Sequence, residues 1–167
     1  MQLSDFNTAS IEDVTRLLKQ LVHIDSWAHS LQQQRPYSSK EELLRVAEQQ
    51  VQTWTWTEIA TALATHPRIG EKQAKQALSA KEQNFSKAEQ AAVSQDEATQ
   101  QALLAGNLAY EAKFDFIFLI RAAGRSSSDI LDALHSRLDN DLETEKKIVH
   151  TQLAEIALLR LQQEIQA

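Results

Sequence analysis

Two short polar stretches carry the side chains best suited to moving a proton. The first is ATHPRIG, residues 64–70, in which His66 is followed at once by Pro67 and then by Gly70, one of only three glycines in the chain. Proline disfavours the helical conformation at the residue before it, so His66 sits at a break rather than within a regular face. An imidazole with an ordinary pKa of about 6.5 both accepts and donates a proton near neutral pH. The second stretch is LSAKEQ, residues 78–83, which offers a hydroxyl, a carboxylate and an amide at Ser79, Glu82 and Gln83. Each has an ordinary reading beside the chemical one. A histidine at a helix end is commonly a cap or a packed core residue, and a lone polar turn does nothing. Arg160, in EIALLRLQQ, reads by itself as a surface or snorkelling arginine.

Other reactive groups form no constellation. Cysteine is absent, which removes disulfides and thiolate metal sites and makes a reducing cytoplasm the natural compartment. His23, His29, His135 and His150 lack ligand spacing apart from Asp132-x-x-His135, half of a bundle metal site without its second half. No metal is therefore expected. Trp27, Trp54 and Trp56 read as core or rim aromatics. AAGRSSSD, residues 122–129, lacks the lysine and glycine pattern of a phosphate loop and reads as the cap of a following helix. With 17 Lys+Arg against 23 Asp+Glu, the net charge of -6 disfavours nucleic acid as a partner. No apolar run approaches the ~18 residues of a membrane span, and the N-terminal residues do not read as a secretion signal.

The elements that must position these residues are helices. Three glycines and two prolines in a chain rich in Ala, Leu, Gln, Glu and Lys predict an all-α, single-domain multi-helix bundle over 1–167. A domain of this size buries roughly 70% of the surface its unfolded chain exposes, enough for a real core. Apolar residues recur at helical intervals at Ile11, Val14, Leu17, Leu18 and Leu21, and again at Leu43, Leu44, Ala47 and Val51. Ser39 with Glu42 and Ser86 with Glu89 have capping-box spacing. The pattern predicts helices over 10–21, 25–33, 39–53, 56–65, 71–79, 86–93, 96–112, 127–138 and 141–165, the last and longest with a stripe of Ile148, Leu153, Ile156 and Leu159. One stretch resists. KFDFIFLIRAAGRS, residues 113–126, packs three Phe, two Ile and one Leu between Phe114 and Ile120, a strand-like composition with no strand to pair with. Either an extended segment lies here, needing partners for its backbone groups, or the preceding helix continues buried to about Leu119. Gly124 ends the segment in both cases.

HPRIG, SAKEQ, NLAYEAKFDFIFLIRAAGRS, RLDND and IALLRL, in that order and spacing, resemble the family of 2-oxo-4-hydroxy-4-carboxy-5-ureidoimidazoline (OHCU) decarboxylases of urate degradation. WAHSLQQQRPYSS is similar to the family's leading segment, so the likeness covers nearly the whole chain. Asp115 departs from it, standing where the family more often has a small residue.

The resemblance implies a cofactor-free decarboxylation of OHCU to (S)-allantoin by a cytoplasmic homodimer. It implies that His66 is the acid/base, that Glu82 orients the substrate hydroxyl or takes its proton, and that Arg160 clamps a carboxylate or carbonyl in a planar, two-pronged way. Pro67, Ser79, Ala80, Lys81, Glu82 and Gln83 would bind substrate, as would Phe116, Ile117, Phe118, Leu119 and Ile120, the latter through backbone groups walled by apolar side chains. Two other classes stand against this: a non-enzymatic helical adaptor, and a carboxylate-bridged metal enzyme, which needs Glu-x-x-His pairs the chain lacks.

Overall fold

The computed structural model describes residues 1–70 and 79–167, and every regular element among them is a helix. These are α1 (Leu3–Thr8), α2 (Ile11–Leu21), α3 (Asp25–Gln33), α4 (Lys40–Val51), α5 (Trp56–Thr65), α6 (Ala80–Glu89), α7 (Glu97–Phe114), α8 (Ser127–Leu138) and α9 (Leu142–Glu164). The all-α expectation holds, and seven of the expected helices lie within two residues of their predicted ends. The helix expected over 71–79 falls, but for Ser79, outside the described residues. Among those described, no helix is long and apolar enough to cross a membrane.

Two helices depart from expectation. α6 begins at Ala80 rather than at residue 86, because Ser79-x-x-Glu82 repeats the capping pattern of Ser86-x-x-Glu89 and it is the earlier pair that closes. Ser86 lies buried inside the helix it was expected to start. The short α1 has no periodicity to announce it and is held from outside: Arg35 Nη1 donates to the Phe6 and Ala9 carbonyls at 2.7 and 2.8 Å, satisfying acceptors a helix end leaves open.

The chain divides into two compact units. One comprises Met1–Ala62 with Ala154–Ala167, the other Leu63–Leu153. In the first, α2 is capped by Ser10, whose side chain accepts from the Asp13 N–H, and buries Val14, Leu17, Leu18 and Leu21. Ile11, expected in that stripe, is 63% exposed because it lies in the first turn, outside the buried arc. Trp27 meets Trp54 edge-on at 6.2 Å and donates from Nε1 to the Ala47 carbonyl. The chain ends meet as well. Leu3 N–H donates to Gln166 O and Gln166 N–H to Met1 O, both at 2.8 Å, forming a single parallel bridge.

In the second unit α7 approaches α8 so closely at Gly106 that an added Cβ would lie 2.2 Å from Leu134 Cδ2. Around this contact Ile69, Leu103, Tyr110, Phe114, Phe118, Ile120 and Ile130 form one buried cluster. α7 then stops at Phe114. Asp115 takes a left-handed φ of 64° and its N–H closes onto Glu111 O at 2.9 Å, so the helix does not run on to Leu119. Beyond it Phe118, Ile120 and Ala122 enter the cluster and Phe116 packs against it, a period of two that belongs to extended chain. Gly124, with φ +76°, turns the chain into α8, whose N-terminus is closed by reciprocal bonds between Ser126 and Asp129. AAGRSSSD is thus a helix cap.

The buried face of α9 differs from the stripe read from the sequence. Leu153 and Ile156 are buried, whereas Ile148 and Leu159 are half-buried. Glu145, Val149, Leu153, Ile156 and Arg160 instead recur at spacings of three and four and are all buried. A carboxylate and a guanidinium occupy core-facing positions that an apolar pattern search passes over.

Candidate active site

His66 immediately follows α5. Its N–H donates to Leu63 O at 3.1 Å, and its Nδ1 lies 3.0 Å from the Pro67 carbonyl oxygen. A carbonyl only accepts, so this contact is a hydrogen bond when the ring carries its hydrogen on Nδ1. The loop beyond is held at successive residues. Arg68 Nε pairs with Glu111 Oε1 at 2.7 Å, Asn107 Nδ2 donates to Ile69 O at 3.1 Å, and Gly70 N–H donates to Gln90 Oε1 at 2.9 Å. Asn107 and Glu111 are one turn apart on α7, so one helix face grips the HPRIG loop. Gly70 has φ +79°, a conformation that favours glycine.

Ser79 is the N-cap of α6, and Ala80, Lys81, Glu82 and Gln83 form its first turn. Ser79 N–H donates to Glu82 Oε2 at 2.7 Å, and Glu82 N–H donates to Ser79 Oγ at 3.3 Å. Glu82 is only 6% exposed. The carboxylate is therefore no solvated turn group: it is buried where the helix's N-terminal N–H dipoles favour negative charge. Arg160, also buried, donates from Nη1 to Leu21 O at 3.0 Å within the first unit. It is not the surface arginine its local sequence suggests.

Ile117, Phe118, Leu119 and Ile120 are buried and Phe116 half-buried. The segment's need for backbone partners is met in part by side chains. Arg137 Nη1 donates to Leu119 O at 2.7 Å, and Arg121 N–H donates to Gln152 Oε1 at 2.9 Å. Arg137 also pairs with Glu145 through Nε at 2.6 Å and through Nη2 at 2.5 Å, and its guanidinium lies 4.6 Å from the centre of the Phe118 ring. Tyr110 donates to Glu145 Oε1 at 2.5 Å, and Asn140 Nδ2 to Oε2 at 3.1 Å. Burial first, and then the bond to Glu145, push the Tyr110 hydroxyl well above its ordinary pKa, so it serves as a donor throughout the working pH range.

Sequence reasoning gave no role to Arg137, Glu145, Tyr110 or Asn107. The available signals were the RLDND motif, which contains Arg137, and the position of Glu145 one turn before Val149 on the buried stripe. His66, Pro67, Ser79–Gln83 and Phe116–Ile120 belong to the unit Leu63–Leu153, whereas Arg160 belongs to the unit containing Met1–Ala62. Within the former, Ile69 from the histidine loop shares a hydrophobic cluster with Phe118 and Ile120. A groove of about 330 Å³ beside α7, lined by Arg68, Leu104, Leu108 and Glu111 among others, contains none of the expected site residues.

Known proteins resemble this chain in sequence and in fold. The family model described as OHCU decarboxylase matches residues 7–162. A uric acid degradation bifunctional protein from Bacillus sp. (strain TB-90) is 29% identical over 167 residues, covering 98% of this chain and 32% of its own length. The chain thus spans about a third of that curated relative. Among solved structures, an OHCU decarboxylase crystallised in the presence of (S)-allantoin superposes with a TM-score of 0.73 at 23% identity, over 89% of this chain and 96% of its own. An (S)-allantoin synthase superposes with a TM-score of 0.71 at 16% identity, over 99% of this chain and 54% of its own. At these identities the two structures speak to the fold.

Proposed function

Because the chain belongs to the OHCU decarboxylase family of carboxy-lyases, we propose that it converts OHCU to (S)-allantoin without a cofactor. The substrate carries its own electron sink. Its carboxylate sits on a carbon bonded to an imine carbon, so when the carbon–carboxylate bond breaks and carbon dioxide leaves, the electron pair forms a double bond to the imine carbon and pushes the imine electrons onto the ring nitrogen. An enol-like intermediate remains. The ring nitrogen that received the pair takes up a proton, and the intermediate then loses the hydroxyl proton and gains one proton on the carbon bearing the ureido group, a net uptake of one proton.

In this reading His66 delivers that proton from Nε2, with Nδ1 turned to Pro67 O. Glu82 orients the hydroxyl or takes its proton, Gln83 reads ring or ureido groups, and Ser79, with the turn Ala80–Lys81, completes the binding surface. Arg160 holds a carboxylate or carbonyl as a planar fork. Phe116–Ile120 offer backbone groups and an apolar wall. The observation that carries the assignment is Glu82: a carboxylate held buried at a helix N-terminus, in the motif where the family resemblance puts the group that handles the hydroxyl proton. A cytoplasmic homodimer is part of the same reading, and light scattering that reports a monomer across the micromolar range would remove the dimer from it.

Handedness tests the reaction. OHCU decays unaided, and protonation in water reaches both faces of the planar intermediate. A fixed donor reaches one, and a facial preference of about 2.7 kcal/mol is a hundredfold excess. Circular dichroism after freshly generated OHCU meets the protein should show a growing (S)-allantoin signal. Racemate formed at the spontaneous rate would overturn the proposal.

A further inference from the structure

We propose that Arg137 is a positioning residue for substrate binding: it fixes the rotation of the segment 116–120 by holding the Leu119 carbonyl, while Glu145 fixes Arg137. The inference rests on the proposed function, in which backbone groups of that segment bind the substrate.

In extended chain the N–H and C=O groups of alternate residues point to the same edge. The Leu119 carbonyl and the Arg121 N–H therefore share an edge, and both are committed to side chains, Arg137 on α8 and Gln152 on α9. With that edge taken, the backbone groups of Phe118 and Ile120 face the opposite way, and these are the groups the geometry assigns to the ligand. Side-chain packing alone does not fix this rotation sharply, because residues on both faces of the segment are apolar and buried. A guanidinium suits the task, since its fork serves two acceptors at once. Nη1 reaches Leu119 O while Nε and Nη2 reach Glu145 Oε1. Glu145 is fully buried and is held in turn by Tyr110 and Asn140, so the anchor itself cannot swing. The loop carrying His66 has a separate tether, Asn107 to Ile69 O. Disturbing Arg137 should thus loosen substrate binding and leave proton delivery largely intact.

The experiment compares three variants with the wild-type protein, measuring kcat and KM on freshly generated OHCU, (S)-allantoin affinity by calorimetry, and thermal unfolding. Glu145→Gln keeps an acceptor for Arg137 but loses its charge, so lower stability and a KM increase smaller than that of the Arg137 variants are expected. Arg137→Met combined with Glu145→Gln removes both charges together, so no buried charge is orphaned, and deletes the Leu119 contact. Here KM should rise about tenfold or more with kcat within about threefold, and allantoin affinity should fall by a similar factor. Arg137→Lys keeps a charge for Glu145 but cannot fork, and should show the same split should the double variant not fold. Unchanged KM and affinity in a folded Arg137 variant would overturn the proposal. So would equal KM changes in Glu145→Gln and the Arg137 variants, since Arg137 would then act only through stability. A wild-type protein that neither turns over OHCU nor binds allantoin would instead remove the proposed function, and this inference with it.

Discussion

Asn107 Nδ2 lies 3.1 Å from the carbonyl oxygen of Ile69, so a buried α7 side chain holds the loop three residues beyond His66. The same helix turns Glu111 toward Arg68 and sends Tyr110 to the Glu145 carboxylate. α7 thereby connects the loop bearing His66 with the network that holds the segment 116–120. Asn107→Ala should leave the Ile69 carbonyl without this donor, costing about 1–3 kcal/mol of stability, and should lower kcat ~10- to 100-fold through a misplaced imidazole. A denaturant titration and steady-state rates on the same preparation check both numbers. Lost stability with unchanged kcat would show that the loop holds its place without Asn107.

His66→Asn removes the proposed proton carrier while retaining a side-chain donor for the Pro67 carbonyl, so the fold should persist. Turnover should fall by about 10²–10⁴, the range typical of a general acid or base. Near wild-type rates in a variant that melts like the parent would take His66 out of the mechanism.

Arg160→Lys keeps a positive charge on the buried stripe of α9 and should still reach Leu21 O, yet a single ammonium cannot reproduce a planar fork. Weaker substrate binding is expected, on the order of 1.5–3 kcal/mol for a lost charge-assisted hydrogen bond, read as a higher KM. If the kinetics match the wild type, Arg160 has a purely structural role in its own unit.

The legible part of this molecule is whatever repeats at helical intervals or obeys a local cap. α2, α4 and α8 announce themselves through Ser10, Ser39 and Ser126 and the apolar stripes behind them. Where two equal cap signals lie close together, as at Ser79 and Ser86, local sequence does not rank them, and tertiary context decides. The short α1 is invisible because its support, Arg35, comes from far along the chain. For the site, His66 and Glu82 stand out by residue type beside a break or a cap. Arg137 and Glu145 do not, because a buried ion pair leaves no periodic trace: each half reads as one more charged residue on a helix. Their meaning depends on an eight-residue separation across the α8–α9 turn that folding closes to 2.6 Å.

The composition of residues 113–126 posed a choice between helix and extended chain, and Asp115 resolves it at a cost. Its φ of 64° is a left-handed conformation that a Cβ disfavours, and a helix C-terminus in this geometry ordinarily takes glycine. Aspartate tolerates it better than most residues, yet the strain remains. Glycine there would relieve the strain but gain freedom in the unfolded chain, which offsets part of the benefit. Asp115→Gly should therefore stabilise the protein by about 0.5–1 kcal/mol, with little change in kcat or KM because the Asp115 side chain is exposed. Urea unfolding should show a higher midpoint at an unchanged slope, the signature of a change in stability rather than in the surface exposed. A midpoint that stays put or falls would mean the aspartate contributes an interaction that outweighs its backbone strain.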